Sequence, residues 1–238
     1  MNVALIFAGG SGSRMNNKSR PKQFLELHNK PIIIYTLEVF ERHEMVDAIV
    51  VVCIESWIKR FEAMLQKFGI TKVKCVVAGG SCGQDSIYNG LVATEELFGE
   101  GATVLIHDGV RPLIDEDTIS RNIESVERHG NCITCVEPIE TVIISDSERG
   151  NYIPQRSDVL VARAPQSFRI NDIIAAHRQA IAEGRHDHID SCSLMKHYGH
   201  QLATTHGSME NIKVTTPTDF FIFKAIVELR LSAEALGI

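Results

Sequence analysis

No apolar stretch of this 238-residue chain approaches the roughly 18 to 20 residues of a membrane-spanning helix, so a membrane partner is not expected. Excess basic charge is missing too: 24 Lys and Arg stand against 30 Asp and Glu, giving a net charge of −6 and a pI near 5.9. Binding a phosphate backbone needs a basic face, so nucleic acid is excluded as the main partner, and local cations are left to serve a small anion. No Pro/Ser-rich linker, low-complexity tract or internal repeat interrupts the chain. With 44% hydrophobic residues it is expected to fold as one large α/β domain over 1–238. The N-terminus enters a strand instead of a signal peptide, and the expected location is cytoplasmic.

The six cysteines also lack the spacing of a zinc site. Cys132-Ile-Thr-Cys135 has no second pair to match it, although His186, His188 and Cys192 follow. Cys53, Cys75, Cys132 and Cys135 lie in or beside apolar strand-like runs, where reduced cysteine acts as a small buried hydrophobe. His186 and His188 are expected in an exposed loop.

What is present is a strand, Asn2 to Phe7, running into the turn Ala8-Gly9-Gly10-Ser11-Gly12-Ser13-Arg14-Met15, with Pro21-Lys22-Gln23 close behind. A strand leading into a glycine-rich turn is where α/β proteins place nucleotides, although such turns often do nothing but turn. A Walker A loop is absent, because neither Gly9 nor Gly10 is followed by Gly-Lys at the required spacing. A dinucleotide fingerprint begins at Gly10 and Gly12 but meets Met15 where its third glycine belongs, which disfavours a dehydrogenase. The remaining possibility is a phosphate loop relying on Arg14, a planar fork for phosphate oxygens, and Lys22, a mobile point charge.

Hydrophobic periodicity predicts alternating helices and strands: helix 31–43, strand 48–53, helix 56–68, strand 73–77, helix 85–98, strand 103–107, a helix from about 116 to 128 and strand 132–136. This is the rhythm of a Rossmann-like, mostly parallel sheet with helices on both faces. It then breaks. Thr141 to Ser145, the turn Asp146 to Gly150 and the stretch Asn151 to Pro154 read as a protruding β-arm within 138–160, whose apolar face must be buried on its own domain or on a second subunit. Asn211 to Thr215 reads as a short strand before the last helix.

Later clusters can complete a site. Gly79-Gly80-Ser81-Cys82-Gly83-Gln84-Asp85-Ser86 is a second glycine-rich turn, in which Ser81 and Ser86 can contact a ligand or Asp85 can simply cap a helix. His107-Asp108-Gly109-Val110-Arg111-Pro112 follows a strand at its carboxyl end, and Asp108 and Arg111 are placed to pair. Lys213 suits either a snorkelling surface position or a third phosphate cation.

Together, Ala8-Gly9-Gly10-x-Gly12-x-Arg14-Met15, Pro21-Lys22-Gln23, Gly79-Gly80 with Asp85-Ser86, His107-Asp108-x-x-Arg111-Pro112, Pro165-Gln166-x-Phe168 and Asn211-Ile-Lys213-Val-Thr resemble the cytidylyltransferases that make CDP-methylerythritol or CDP-ribitol. The resemblance covers nearly the whole chain. It implies a nucleotidyltransferase that moves CMP from CTP to a polyol phosphate, with Mg²⁺ as cofactor and a homodimer as the working unit. By the same resemblance, Ala8, Gly9, Gly80 and Ser86, with Ser81 nearby, would bind the cytosine end of CTP. Gly10, Arg14 and Lys22 would hold the triphosphate, with Lys213 at the reacting phosphates. Asp108 would meet the acceptor's hydroxyls, supported by Arg111, and is the carboxylate open to the metal. Thr141 and Arg156 would reach the acceptor phosphate in the neighbouring subunit.

Some departures bear on the base and loop contacts, others on the acceptor. Gly83 stands where many relatives carry arginine, and Ser81 where an acidic residue is common. The five residues between Met15 and Pro21, and Ile153-Pro154-Gln155-Arg156 on the arm, resemble the ribitol-phosphate type more than the methylerythritol-phosphate type. Ile189 replaces a threonine common in both groups, removing one hydroxyl contact. Ribitol 5-phosphate is the expected acceptor and methylerythritol 4-phosphate the alternative. A non-catalytic nucleotide-binding regulator would have lost Arg14, Lys22 or Lys213, and all three are retained.

Overall fold

A computed structural model describes residues 1–9, 20–148 and 150–236. Its strands are β1 (Asn2–Ala8), β2 (Glu26–Leu27), β3 (Lys30–Pro31), β4 (Ala48–Cys53), β5 (Val73–Ala78), β6 (Thr103–Asp108), β7 (Asn131–Val136), β8 (Ile144–Asp146), β9 (Gly150–Tyr152), β10 (Val161–Arg169) and β11 (Thr204–His206). Its helices are α1 (Ile32–Arg42), α2 (Ile58–Lys67), α3 (Gly83–Phe98), α4 (Glu116–His129), α5 (Ile170–Ala182), α6 (Ser191–His197) and α7 (Pro217–Leu236). Seven strands form the main sheet in the order β11-β7-β10-β6-β1-β4-β5, parallel except for β10.

Alternation along the strands divides the core between two faces. Val3 and Leu5 of β1 meet α3, α5 and α6, whereas Ala4 and Ile6 meet α1, α2 and α4. Covered on both sides, β4 reads Ala-Ile-Val-Val-Val-Cys and is buried at every position, the unbroken apolar run expected of a parallel strand inside the sheet. A third cluster packs Phe223 and Val227 of α7 against Ile32, Val110 and Val214, bringing the end of the chain up to the segment that follows β6.

Three features differ from the sequence expectation. Ala164 to Phe168 belongs to β10, which wedges antiparallel between β6 and β7. Because the chain re-enters the sheet from the edge where the arm projects, it has to run against its neighbours. Asn211 to Thr215 forms no strand. The carbonyl of Asn211 is occupied by Arg111 Nη1 at 2.9 Å and Arg163 Nη1 at 3.1 Å, and the Val214 N–H bonds the Val110 carbonyl at 2.9 Å. Side chains and a single backbone bond to Val110, instead of a ladder, hold this segment. The arm's hairpin is present but shorter than expected, opening at Ile144, which pairs with Tyr152.

Close packing positions α3. A Cβ built on Gly90 would lie 2.4 Å from Leu5 Cδ1 and 2.7 Å from Val52 Cγ2, so only glycine lets the helix approach β1 and β4. Glycine inside a helix costs about 0.5–1 kcal/mol relative to alanine, less than the roughly 1–3 kcal/mol of overpacking such a core. Gly90→Val is therefore expected to lower stability by about 2–3 kcal/mol in urea unfolding; an unchanged midpoint would contradict this packing.

Candidate active site

The ends of β1, β5 and β6 lie along one edge of the sheet. At β1 and β5 the two glycine turns touch: a Cβ on Gly79 would sit 3.7 Å from Gly9 Cα and 3.1 Å from Ser86 Oγ. Ser86, buried at the start of α3, is the wedge between them. Its hydroxyl accepts the Gly80 N–H at 2.9 Å and donates to the Cys82 carbonyl at 2.7 Å, so it shapes the turn. At Gly80 a Cβ would come within 2.5 Å of Asp85 Cβ, so this approach also requires glycine. Gln23 Nε2 donates to the Ala8 carbonyl at 2.6 Å, tying the short 3-10 turn Lys22–Phe24 to the end of β1. Gly10 and Arg14 lie outside the described residues.

Cys82, and neither Asp85 nor a neighbouring serine, takes the cap position of α3, its sulfur accepting the Asp85 N–H at 3.4 Å. The Asp85 carboxylate is thereby released to accept from the Ser81 hydroxyl and to bond His186 Nδ1 at 2.8 Å. Hydrogen bonds from Ser81 and His186 hold the Asp85 carboxyl below its ordinary range. Cys82, Asp85 and His186 offer three donor atoms within 4.8 Å of one another. None belongs to the Cys132/Cys135 pair considered from sequence.

Asp108, at the end of β6, is clamped between two cations. Arg111 Nε donates to Oδ2 at 2.8 Å and Lys213 Nζ to Oδ1 at 2.6 Å. Burial alone would raise this carboxyl's pKa, but the charges of Lys213 and Arg111 outweigh it and hold it down at about 2. Burial depresses neighbouring His107 to about 4, so it stays neutral although the Asp108 charge pulls the other way. One carboxylate facing two cations leaves a net positive cluster, suited to phosphate.

A cavity of about 240 Å³ opens beside this cluster, with Ile87 of α3, Ile189, Ser191 and Leu194 on its other walls. Ile189 is 95% exposed at its mouth, so no packing duty explains an isoleucine there. Two glutamines missed in sequence terms build the far wall. Gln84 Nε2 donates to the Arg185 carbonyl at 2.8 Å and its Oε1 accepts the His188 N–H at 3.1 Å. Gln166 joins Asp190 and the Cys192 N–H, both at 2.8 Å. Asp190 caps α6 together with Ser193, an Asp-x-x-Ser signal visible in the letters. These bonds draw the 183–190 loop inward. His186 is exposed as expected, but His188 is half-buried against the cavity.

Thr141 and Arg156 sit elsewhere. They line a separate cavity of about 200 Å³ on the arm, which shares no lining residue with the first. Within one chain the structure does not bring them together with Asp108.

A mostly parallel sheet that gathers glycine turns and paired cations at one edge defines an α/β nucleotidyltransferase. The family model described as "IspD: 2-C-methyl-D-erythritol 4-phosphate cytidylyltransferase" matches residues 2–229, and the chain belongs to that family. It is 53% identical to a ribitol-5-phosphate cytidylyltransferase of Vibrio parahaemolyticus, with both chains covered completely. It is 38% identical to a 2-C-methyl-D-erythritol 4-phosphate cytidylyltransferase of Clostridium botulinum, over 95% of this chain and 97% of the relative. The crystal structure of 4-diphosphocytidyl-2C-methyl-D-erythritol synthase from Anaerococcus prevotii superposes with a TM-score of 0.82 at 26% identity, covering 95% of this chain and 96% of the other.

The clamp gives a pH signature. Because the folded pKa of Asp108 lies below its unfolded value near 3.8, its contribution is fully present above pH ~4 and is lost as pH falls through about 2. The difference corresponds to about 2 kcal/mol. Urea unfolding of the wild type and Asp108→Asn is expected to show such a gap at pH 5 to 7 that closes below pH ~4. A gap unchanged at the lowest accessible pH would remove the two cations as its cause.

Proposed function

We propose that the protein transfers CMP from CTP to D-ribitol 5-phosphate, giving CDP-ribitol and pyrophosphate. The observation that carries this is the Lys213–Asp108–Arg111 cluster beside the paired glycine turns: a fixed positive site next to backbone set up for close approach. The acceptor follows from full-length relatives at 48–53% identity that carry the ribitol-5-phosphate name.

The acceptor's phosphate oxygen attacks the α-phosphorus of CTP in line, and the bond to pyrophosphate breaks. A phosphate monoester loses its second proton near pH ~6, so the nucleophile is already dianionic and needs no general base. Charge grows on the nonbridging and leaving oxygens, and fixed cations stabilise it. Arg14 and Lys22 take the departing pyrophosphate, and Lys213 the reacting phosphates. Ala8, Gly9, Gly10 and Gly80 offer backbone to the nucleotide, with Ser86 and Ser81 holding the second turn in place. Mg²⁺ would neutralise phosphate charge when bound; Asp108, kept ionised by its cations, fits the single carboxylate such an ion needs beside phosphates and water.

The arm supports a homodimer. Ile139, Ile143 and Ile153 are each more than half exposed on it, an apolar surface that association would cover. Thr141 and Arg156, remote from Asp108 in their own chain, would then serve the acceptor phosphate of the second copy. A cytoplasmic setting suits these soluble substrates, and no described helix is long and apolar enough to cross a membrane.

Pyrophosphate release is expected from CTP with ribitol 5-phosphate. Product only with methylerythritol 4-phosphate would reverse the acceptor assignment, and none with any pair would rule out the enzyme. Arg156→Ala should raise the acceptor KM far more than that of CTP. Arg156→Ala and Lys22→Ala subunits, each impaired alone, should regain activity on mixing through one intact site per mixed dimer; mixtures no more active than the separate variants would place Arg156 in its own subunit's site.

A further inference from the structure

Among the described residues, six buried side-chain nitrogen and oxygen atoms have no hydrogen-bond partner. Asn211 Oδ1 lies away from the cavity beside Asp108, and His107 Nδ1 belongs to a residue that lines it but whose ring packs 5.2 Å from that of Phe40. The other four are His177 Nδ1 and Nε2, His188 Nε2 and Ser191 Oγ, and all three residues line the cavity beside Asp108. His177 lies on α5, His188 precedes α6 and Ser191 opens it, so two stretches of the chain bring unpaired polar groups to one cavity. His177 is 1% exposed and Ser191 3%. Leaving buried polar atoms unpaired is costly, and their concentration at a single cavity points to a polar occupant.

The chemistry of that occupant can be narrowed. Burial, and then nearby His188, holds His177 down at about 4, so its neutral ring offers one donor and one acceptor. The Ser191 hydroxyl also does both. A carbon-bound hydroxyl is the matching partner, whereas an anion would only accept. Ile87, Ile106, Ile189 and Leu194 line the same cavity and suit the C–H surfaces of an open carbon chain. Each oxygen of Asp108 already accepts from one cation and keeps one lone pair, too few for all of the acceptor's hydroxyls, so some of these require other partners.

We infer that His177, His188 and Ser191 form the wall that reads the acceptor's carbon chain, bonding hydroxyls distal to its phosphate. This rests on the polyol-phosphate assignment above and adds the residues that set its selectivity. A site built to bond a hydroxyl rejects the analogue lacking it, because its own polar atoms then stay unpaired.

The test uses steady-state kinetics of the full-length enzyme with CTP, ribitol 5-phosphate and its 1-, 2- and 3-deoxy analogues. Ser191→Ala and His188→Phe are each expected to raise the KM for ribitol 5-phosphate about tenfold while the CTP KM stays within about twofold. For each variant, one deoxy analogue should be used as well as by the wild type. His177→Leu extends the series if it folds; the other two decide the matter without it. Penalties equal for every acceptor, penalties shared with CTP, or no penalty would overturn the assignment while wild-type turnover of ribitol 5-phosphate leaves the acceptor standing. Absence of that turnover overturns both.

Discussion

One carboxylate shared by two cations organises the functional edge. Without Asp108, Arg111 and Lys213 would repel each other across a partly dry pocket; with it, a strand end, the turn after it and a segment close to the C-terminus are fixed together. The linkage extends further. Arg111 and Arg163 both donate to the Asn211 carbonyl, and Asn211 Nδ2 donates to the Ala164 carbonyl of β10 at 2.8 Å. Buried Asn211 is thus the node through which the clamp reaches the antiparallel strand, and this explains why its segment has side-chain partners in place of a ladder.

The two halves of the edge are held by different physics. The glycine turns are set by steric fit around Ser86 and Asp85, where a carbon added at Gly80 collides and one added at Gly9 or Gly79 is tight. The opposite half is set by charge, with little dependence on close packing around the Lys213 stem. Fitting backbone gives a fixed frame for a ligand bound identically each time, whereas a lysine can follow charge as it moves between oxygens. An in-line transfer needs both.

Much of this was legible in the letters because local signals agreed with the final environment. β1 and β4 show as apolar runs and α4 as a helix from about 116, and Asp108 and Arg111 stand three residues apart in one turn. What was not legible depended on contacts distant in sequence. Pro165 and the polar Arg163 and Gln166 hid β10, since their partners lie on Asn211 and Asp190. Cysteine is not among the usual cap residues, so Cys82 gave no warning that Asp85 would be freed for His186. Nothing local distinguishes a solvated His188 from one folded inward by Gln84.

The pairing of Val136 with Val161 has its own consequence. These residues stand opposite each other in β7 and β10, so everything between them, hairpin included, is topologically the loop of one antiparallel pair. The sheet is closed beneath the arm and owes it no strand. Such an appendage can lengthen, shorten or change its tip without disturbing the nucleotide-facing frame, which makes it a natural place for one scaffold to be refitted to a different phosphorylated partner.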